Sequence, residues 1–254
     1  MPRLHREHLR AVYNYARHVD ELGDSYDGDR LAALAQLREQ VDRIWHGGEV
    51  EGALLADLAA TVHTCGLSEQ PFLDLIQANV QDQTVKRYAT FADLVGYCRL
   101  SADPVGRIVL ELFGQSTPER VVLSDKICTA LQIVEHLQDV HEDAHEGRIY
   151  LPRESLATHG VPETELHGVH TSPRLRALVL DETARAEDFL REGAPLIGQL
   201  TGWAKLAVAG FAAGGFAVVD ALRAANGNVM ERQVKPTKVA TARHAVRLLR
   251  GRHG

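Results

Sequence analysis

The stretch that decides the fold runs from Gln132 to Pro152 and reads QIVEHLQDVHEDAHEGRIYLP. Apolar residues recur at helical spacing as far as Ala144, with no Gly or Pro among them, which predicts a helix. Asp139 and Asp143 stand four residues apart, so a helix carries both carboxylates on one face with Cβ atoms about 5–6 Å apart. Like charges at that spacing repel each other, so the pair is unfavourable in a core and useful beside a cation.

A second acidic pair lies near the N-terminus. Four residues there follow the spacing i, i+4, i+7, i+11: Tyr13, Arg17, Asp20 and Asp24. The same spacing relates four residues of the opening stretch: Gln132, His136, Asp139 and Asp143. Each set therefore forms one stripe along a helix, and we expect the two acidic stripes to face each other. Four carboxylates with only oxygen donors suit Mg²⁺, which completes its shell with substrate phosphate oxygens, so the implied ligand is a diphosphate.

One acidic pair taken alone is more often a solvated helix face than a site. Both stripes, however, run beside apolar positions that predict the packed face of each helix: Leu9, Val12, Ala16 and Val19 in one, and Ile133, Leu137 and Val140 in the other. Two carboxylate rows beside packed faces favour a functional site over a solvated surface.

These motifs resemble the squalene/phytoene synthase family, the head-to-head trans-prenyl synthases. The resemblance rests on the two acidic patterns and on the closing segment Gly147–Pro152, and it covers nearly the whole chain. Further matches lie in a central segment: Asp82, Arg87, Tyr88, Tyr97, Cys98, Ser101, Ala102, Val105 and Gly106. The Gly/Ala-rich stretch after Leu206 matches the family's penultimate helix. Within the family, the tract Glu135–Val140, together with Gln81, Asp82 and Gln83, is most similar to bacterial hydroxysqualene synthases of hopanoid and squalene biosynthesis.

The resemblance implies an all-α, single-domain helical bundle of the isoprenoid-synthase type around a central cavity. Residues 1–254 would form one prenyl synthase domain, with 226–254 as a basic C-terminal tail. The catalytic residues it implies are Asp20, Asp24, Asp139, Asp143, Arg17 and Tyr13, and the four aspartates among them would hold Mg²⁺. The residues it assigns to substrate binding are Asp82, Arg87, Tyr97, Ser101, Ala102, Gly106, Gln132, Glu135, Arg148 and Tyr150.

The activity implied by the resemblance is the conversion of presqualene diphosphate into hydroxysqualene and diphosphate. Arg17, Lys86 and Arg87 would add charge-assisted contacts to the diphosphate oxygens. A synthase that condenses two prenyl diphosphates head-to-head, to presqualene diphosphate, squalene or phytoene, would use the same site and is the nearest alternative. A functional pairing with a presqualene diphosphate synthase is expected. No dinucleotide-binding fingerprint is present, so we expect no reductive step on this chain.

Three departures from the family bear on these expectations. The chain begins where relatives already have an N-terminal helix behind them, so we expect part of one substrate-contacting wall to be missing. Glu135 stands where most members have Asn, which adds a carboxylate one turn before Asp139. Gly215 stands where some members carry a cavity Tyr, which predicts a wider cavity or access for water.

Two other classes remain open. A di-iron helical bundle needs two Glu-x-x-His motifs and two further Glu on separate helices, and the sequence offers one such motif, Glu142 with His145. A non-catalytic partner subunit of a prenyl synthase is the other class, suggested by the short N-terminus.

Charge, cysteine content and hydropathy argue against several classes of protein. The net charge of −6 over 254 residues argues against a nucleic-acid partner. Cys65, Cys98 and Cys128 show no paired spacing, so we expect neither a disulfide framework nor a zinc site, and a cytoplasmic location fits. No signal peptide is visible, and the apolar stretch Leu206–Val219 is too short to span a bilayer.

Caps and breaks predict the helix limits: Arg6 to Gly23, Arg30 to Trp45, Ala53 to Cys65, Glu69 to Gln81, Phe91 to a break at Asp103–Pro104, Val105 to Phe113, Pro118 to Ala144, Leu175 to Glu192, and two helices within Pro195 to Ala225. Ser68 and Thr90 are the predicted caps of two of them. A seam of Leu31, Leu34, Leu37, Val41 and Ile44 is predicted to be core, and His159, His167 and His170 are assigned to the surface.

The tail from Asn226 is basic and carries an apolar stripe of Val239, Ala242, Val246 and Leu249. The stripe predicts a last helix packed on the bundle, and a peripheral contact with the inner membrane surface is the alternative.

Overall fold

The computed structural model describes residues 1–231 and 233–251, so Arg232 and Arg252 of the basic tail lie outside the described residues. Its helices are α1 (Arg3–Asp24), α2 (Arg30–His46), α3 (Ala53–Cys65), α4 (Gln70–Thr84), α5 (Phe91–Ser101), α6 (Asp103–Leu112), α7 (Pro118–Gln138), α8 (Val140–His145), α9 (Arg153–Thr158), α10 (Pro173–Gly193), α11 (Leu196–Gln199), α12 (Gly202–Ala224) and α13 (Lys238–Leu249). A 3₁₀ helix, Glu163–His167, follows α9. Within the described residues the only β-type pairing is an isolated bridge between Arg87 and Ile149, so the predicted all-α class is confirmed.

The chain divides into two compact units. Unit 1 comprises Met1–Val85 and Arg99–Val121, and unit 2 comprises Lys86–Cys98 and Val122–Gly254. The assignment of residues 1–254 to a single domain stays a prediction.

Unit 1 is built around a core supplied by α1 to α4 and α6. Tyr15 lies fully buried, and its hydroxyl donates a hydrogen bond of 2.9 Å to the carbonyl oxygen of Phe72. The Trp45 indole donates to the carbonyl oxygen of Leu67 at 2.9 Å, which ties the end of α2 to the segment before α4. Most of the predicted α2 seam is buried as expected, but Leu31 is exposed because it lies on the first turn of the helix, beyond the packed region.

The start of α4 differs from the prediction. Ser68 does not cap the helix, because its hydroxyl and its backbone N–H both bind the carboxylate of Glu111. Pro71 lies in the first turn as expected, and the helix continues past Gln81 to Thr84. At the start of α5 the predicted cap is confirmed: the Thr90 hydroxyl accepts from the N–H of Asp93 at 3.1 Å, and the Asp93 carboxylate accepts from the N–H of Thr90 at 2.9 Å.

The predicted helix from Pro118 to Ala144 is interrupted. Asp139 has φ −106° and ψ 14°, and the chain bends there between α7 and α8. Hydrogen bonds of the helical type still cross the bend, from Asp139 N to Glu135 O (3.0 Å) and from Asp143 N to Asp139 O (2.8 Å). Aspartate is a poor helix former, and its repulsion with a carboxylate four residues on disfavours a straight helix. The prediction of one continuous helix is therefore wrong, but Asp139 and Asp143 remain one turn apart.

Unit 2 contains α12, a 23-residue helix whose length and composition alone would let it cross a membrane. The prediction that the apolar stretch Leu206–Val219 is too short to span a bilayer is wrong in length, because the helix extends beyond that stretch at both ends. Half of its most apolar window is buried in the fold, and its buried residues include Val208, Ala212 and Leu222.

Gly215 packs closely within unit 2. A Cβ atom placed there would lie 2.8 Å from a methyl carbon of Leu131 and 3.1 Å from one of Leu190. The expectation of a wider cavity at this position is therefore wrong, since leucine side chains already fill the space beside the glycine.

The last helix, α13, packs on α12 as predicted, but through different residues. The Asp220 carboxylate accepts from Arg243 at 2.7 Å and from His244 Nε2 at 2.8 Å, and the His244 ring stacks on Phe216. Leu248 is the buried apolar residue of this helix. The predicted stripe is wrong, because Val239, Ala242 and Val246 are exposed and these polar and ring contacts set the rotation of the helix. A membrane-surface role for the tail stays a prediction.

Candidate active site

The acidic group of unit 2 lies at the bend between α7 and α8. Asp139 and Asp143 are half-buried, whereas Glu135 and Glu142 are exposed. Burial raises the pKa of Asp139, and the negative charges of Asp143, Glu135 and Glu142 raise it further, while His136 acts in the opposite direction. The extra carboxylate noted at Glu135 therefore acts electrostatically on Asp139. Several carboxylates held together in this way form a site that a cation would stabilise.

The segment from Gly147 to Pro152 is held tightly within unit 2. Gly147 has φ +80°, which glycine adopts without strain, and the N–H of Arg148 donates to Asp143 O at 2.8 Å. The N–H of Ile149 then donates to Lys86 O at 3.0 Å. The segment consequently returns alongside the chain that carries Lys86 and Arg87.

The Arg87 side chain donates a hydrogen bond directly to this turn. Its Nη1 donates to the carbonyl oxygens of Lys86 and Gly147, each at 2.7 Å, and its Nε donates to the Glu163 carboxylate at 2.9 Å. Arg148 pairs with the carboxylate of Glu146. Both arginines are thus engaged within the protein, and their assignment to substrate binding stays a prediction.

Four rings of unit 2 form what we call the aromatic cluster: Tyr88, Tyr97, Tyr150 and His136. The ring centroids of the three tyrosines lie 5.5–5.8 Å apart, and each tyrosine is buried. His136 stacks on Tyr150 with a centroid distance of 3.6 Å and an interplanar angle of 10°. Since His136 lies one turn before Asp139 on α7, the cluster is connected directly to the acidic group.

Gln132 is also part of this arrangement. Its Nε2 lies 3.2 Å from His136 Nε2, and His136 Nδ1 lies 3.8 Å from Asp143 Oδ2. His136 is therefore adjacent to three other residues of the predicted stripe and turn: Gln132, Asp143 and Tyr150.

In unit 1, Asp20 and Asp24 lie exposed in the last two turns of α1. Asn79 on α4 donates to Asp20 Oδ1 at 3.3 Å, and Gln83, one turn further on, donates to the carbonyl oxygen of Gly23 at 3.1 Å. The end of α1 is thus fixed on α4. The expectation that this row faces the row of unit 2 stays a prediction.

Tyr13 and Arg17 lie on the exposed side of α1. Tyr13 is 64% exposed, and Arg17 Nε pairs with Glu21 at 3.0 Å across one turn of the helix. An exposed arginine held only by a neighbouring surface carboxylate can exchange that partner at little energetic cost. The catalytic roles of both residues stay predictions.

Four more predicted site residues belong to unit 1. Asp82 is buried in the last turn of α4, Ser101 ends α5, Ala102 is buried at the break, and Gly106 is half-buried in α6. The Ser101 hydroxyl is buried with no hydrogen-bond partner among the described residues. That hydroxyl is available to a ligand or to water.

Sequence reasoning missed three residues of these surroundings. Asn79 and Gln83 are polar residues four apart on α4, on either side of Asp82, a spacing that signals a shared helix face. His136 appeared in the predicted stripe with no role assigned. Its contact with Tyr150 depends on the bend at Asp139 and the turn at Gly147, which sequence spacing does not reveal. The histidines assigned to the surface are exposed except His159, which is half-buried and pairs with Asp181 at 2.9 Å.

A separate titratable group lies in unit 1 at the end of α2. Donor atoms of Asp42, His46 and Glu69 all lie within 4.8 Å of one another. A backbone hydrogen bond to Asp42 raises the pKa of His46, and the charges of both carboxylates raise it further. Ion pairing of a protonated His46 with the two carboxylates accounts for this group.

Comparison with known proteins identifies the family. The squalene/phytoene synthase family profile matches residues 1–240. The presqualene diphosphate synthase of Sinorhizobium fredii is 35% identical over 175 residues, which cover 66% of this chain and 61% of that protein. The hydroxysqualene synthase of Rhodopseudomonas palustris is 33% identical over 199 residues, which cover 77% and 67% of the two chains.

A solved structure agrees with this assignment. The squalene synthase HpnC from Alicyclobacillus acidocaldarius superposes with a TM-score of 0.85 at 39% identity, over 90% of this chain and 86% of that one. The chain belongs to the squalene/phytoene synthase family. It spans 61% of the length of the Sinorhizobium relative, which is less than two thirds.

Proposed function

We propose that this chain is a Mg²⁺-dependent enzyme of isoprenoid biosynthesis that converts presqualene diphosphate and water into hydroxysqualene and diphosphate. The observation that carries the proposal is the half-buried pair Asp139 and Asp143 beside the aromatic cluster of unit 2. Such an arrangement suits the ionisation of a hydrocarbon diphosphate, because the acidic end binds the leaving group through a cation and ring faces stabilise a positive charge. Family membership and the similarity to a hydroxysqualene synthase support the proposal.

The donor chemistry of the acidic group fits Mg²⁺. All candidate ligand atoms are carboxylate oxygens; burial, and then the neighbouring negative charges, raise the pKa of Asp139, and a bound divalent cation would offset both effects. Asp139 and Asp143 are the proposed ligands in unit 2, and Asp20 and Asp24 are the proposed ligands in unit 1. When bound, the cation neutralises charge on the diphosphate oxygens and makes diphosphate a better leaving group.

The reaction balances with no further reagent. The bond between carbon and the diphosphate oxygen breaks, and its electron pair leaves with diphosphate. The hydrocarbon cation rearranges, a water oxygen bonds to it, and the proton of that water passes to solvent or to diphosphate. The protein's part is to hold the leaving group at the carboxylates, to keep the cation beside the rings of Tyr97 and Tyr150, and to control which water reaches it.

The second candidate is a synthase that joins two farnesyl diphosphates into presqualene diphosphate. It is favoured by the 35% identity to the presqualene diphosphate synthase of Sinorhizobium fredii. It would use the same carboxylates for the first ionisation, so the two candidates differ in which substrate is consumed. A functional pairing with a separate presqualene diphosphate synthase follows from the first candidate and not from the second.

The test is a product analysis with purified protein. The protein is incubated with Mg²⁺ and presqualene diphosphate in water enriched in ¹⁸O, and separately with farnesyl diphosphate, and products are identified by mass spectrometry. We expect hydroxysqualene that carries one ¹⁸O atom from the first incubation and no coupled product from the second. Chelation of Mg²⁺ and the variant Asp139→Asn should each abolish product.

Other outcomes select the alternatives. Consumption of farnesyl diphosphate with presqualene diphosphate left intact would replace the first candidate by the second. If neither substrate is consumed, both candidates fail, and the class of non-catalytic partner subunit is tested next by adding a partner synthase.

A further inference from the structure

His136 combines a buried ring stack with polar neighbours at both of its ring nitrogens. It is 9% exposed and stacks face to face on Tyr150, whose ring lies beside Tyr88 and Tyr97. A phenylalanine would make the same stack. The nitrogen atoms of the ring are therefore the part of the side chain that packing does not explain.

Those two nitrogens face different partners. Nε2 lies 3.2 Å from Gln132 Nε2, and an amide nitrogen only donates hydrogen bonds, so we assign Nε2 of the neutral ring as the acceptor. The proton of the ring then lies on Nδ1, which is 3.8 Å from Asp143 Oδ2. With this assignment, the N–H group at Nδ1 of His136 is on the side of the ring nearest the Asp143 carboxylate.

We propose that His136 is a positioning residue that orients the Asp143 carboxylate and the Tyr150 ring for the diphosphate and its cation. The inference rests on the proposed function. His136 is on α7, Asp143 is on α8 beyond the bend at Asp139, and Tyr150 lies beyond the turn at Gly147. One ring therefore lies against three consecutive segments of the chain. Groups behind a ligand commonly set its orientation, and losing them typically weakens metal binding by about 10–100-fold.

Three substitutions at His136 distinguish the effect of ring stacking from the effect of the ring nitrogens. His136→Phe keeps the stack and removes both nitrogens, His136→Asn keeps an N–H group near the place of Nδ1, and His136→Gln keeps a polar group near the place of Nε2. The readout is Mn²⁺ binding in the presence of inorganic diphosphate, followed by the electron paramagnetic resonance signal of free Mn²⁺. His145→Phe, an exposed histidine on α8, is the matched control.

We expect Mn²⁺ binding to weaken about tenfold in His136→Phe and in His136→Gln, to recover in His136→Asn, and to stay unchanged in His145→Phe. With presqualene diphosphate, the same order should appear in KM more than in kcat. Equal binding by His136→Asn and His136→Gln, or wild-type binding by His136→Phe, would overturn the inference. Because the Asn and Gln variants are compared with each other, the test remains decisive if the Phe variant fails to fold.

The variant Asp143→Asn separates this inference from the proposed function. If it loses Mn²⁺ binding while His136→Phe keeps it, only the role of His136 is overturned. If it binds as tightly as the wild type, or if the wild type does not bind, the proposed cation site itself fails and the role of His136 fails with it. Binding that follows the expected order without turnover of presqualene diphosphate would preserve the role of His136 and refute the proposed reaction.

Discussion

The carboxylate of Glu182 lies inside unit 2, where its side chain is 3% exposed. Its Oε1 accepts from the Ser155 hydroxyl at 2.6 Å and lies 3.3 Å from Arg185 Nη1. Its Oε2 is buried with no hydrogen-bond partner among the described residues. Burial raises the pKa of Glu182 above its ordinary value of 4.5, against the opposing effects of Ser155 and Arg185. A buried carboxylate in this state binds a proton more readily in the folded chain than in the unfolded one.

The stability of the protein should therefore depend on pH through Glu182. Its contribution is fully present below the ordinary pKa and is lost as pH rises through the raised pKa, because the folded chain must then bear a buried charge. We expect Glu182→Gln to raise the free energy of unfolding at pH 8, with the difference disappearing toward pH 4.5. Urea unfolding at several pH values measures this.

The control for this prediction is Glu39→Gln, at an exposed position on α2, which should leave the pH profile unchanged. A lower stability of Glu182→Gln at pH 8 would mean that the ion pair with Arg185 outweighs the burial of the charge.

Residue patterns identified the acidic group but not its surroundings. Asp139 and Asp143 could be found from a spacing of four because helix geometry converts that spacing into proximity. The stack of His136 on Tyr150 could not, since the two residues are brought together by a bend and a left-handed glycine that have no periodic signature. Asn79 reaches Asp20 across two helices for the same reason: the contact depends on how α1 and α4 pack.

At the scale of elements, close packing of helices depends on particular glycines. Gly193 ends α10 against α7, and a Cβ atom there would lie 2.7 Å from the Leu123 carbonyl oxygen and 2.6 Å from Cγ1 of Ile127. A carbonyl oxygen within a helix cannot move aside without displacing the helix. At Gly210 on α12, by contrast, a Cβ atom would have no neighbouring atom within 4 Å, so an added methyl group there meets open space.

Alanine at these two glycines should therefore have opposite effects. We expect Gly193→Ala to destabilise the protein by about 1–3 kcal/mol through overpacking. We expect Gly210→Ala to stabilise it by roughly 0.5–1 kcal/mol, because alanine has the higher helix propensity. Thermal and urea unfolding of both variants measure the two effects, and a stabilising Gly193→Ala would show that α10 and α7 are not in close contact there.

Helix limits were predictable where local chemistry determines them. The limits of α3 match the prediction, and the Thr90–Asp93 box begins α5 as expected, because capping residues act within a few positions of themselves. Predictions failed where tertiary contacts decide. Ser68 binds Glu111 instead of capping α4, and α13 is rotated by the two bonds that Asp220 accepts. Ser68 and Glu111 are 43 residues apart, and Asp220 is 23 and 24 residues from its two partners.

For the whole molecule, the all-α class and the family were both predicted from the resemblance that the motifs carry. The sequence does not determine the reaction as well as it determines the family. Relatives of similar identity carry different names: presqualene diphosphate synthase at 35% and hydroxysqualene synthase at 33%. Under either proposed reaction the same carboxylates would bind the diphosphate, and the two reactions differ in what happens to the hydrocarbon cation afterwards. The spacing of the carboxylates predicts the diphosphate site. It does not describe the shape of the surroundings that control the fate of the hydrocarbon cation.

The proposed function has Asp139 and Asp143 act through Mg²⁺ on a prenyl diphosphate, and the sequence predicts the same role for Asp20 and Asp24. The most direct test is the Mg²⁺-dependent rate of diphosphate release from presqualene diphosphate by the wild type, Asp24→Asn, Asp143→Asn and the double variant. Each single variant should lower the rate at least 100-fold, on the order of 3 kcal/mol or more. The double variant should be little slower than either single one, since groups that act as a unit are not additive. Wild-type release by Asp24→Asn, or release that persists without Mg²⁺, would contradict this prediction.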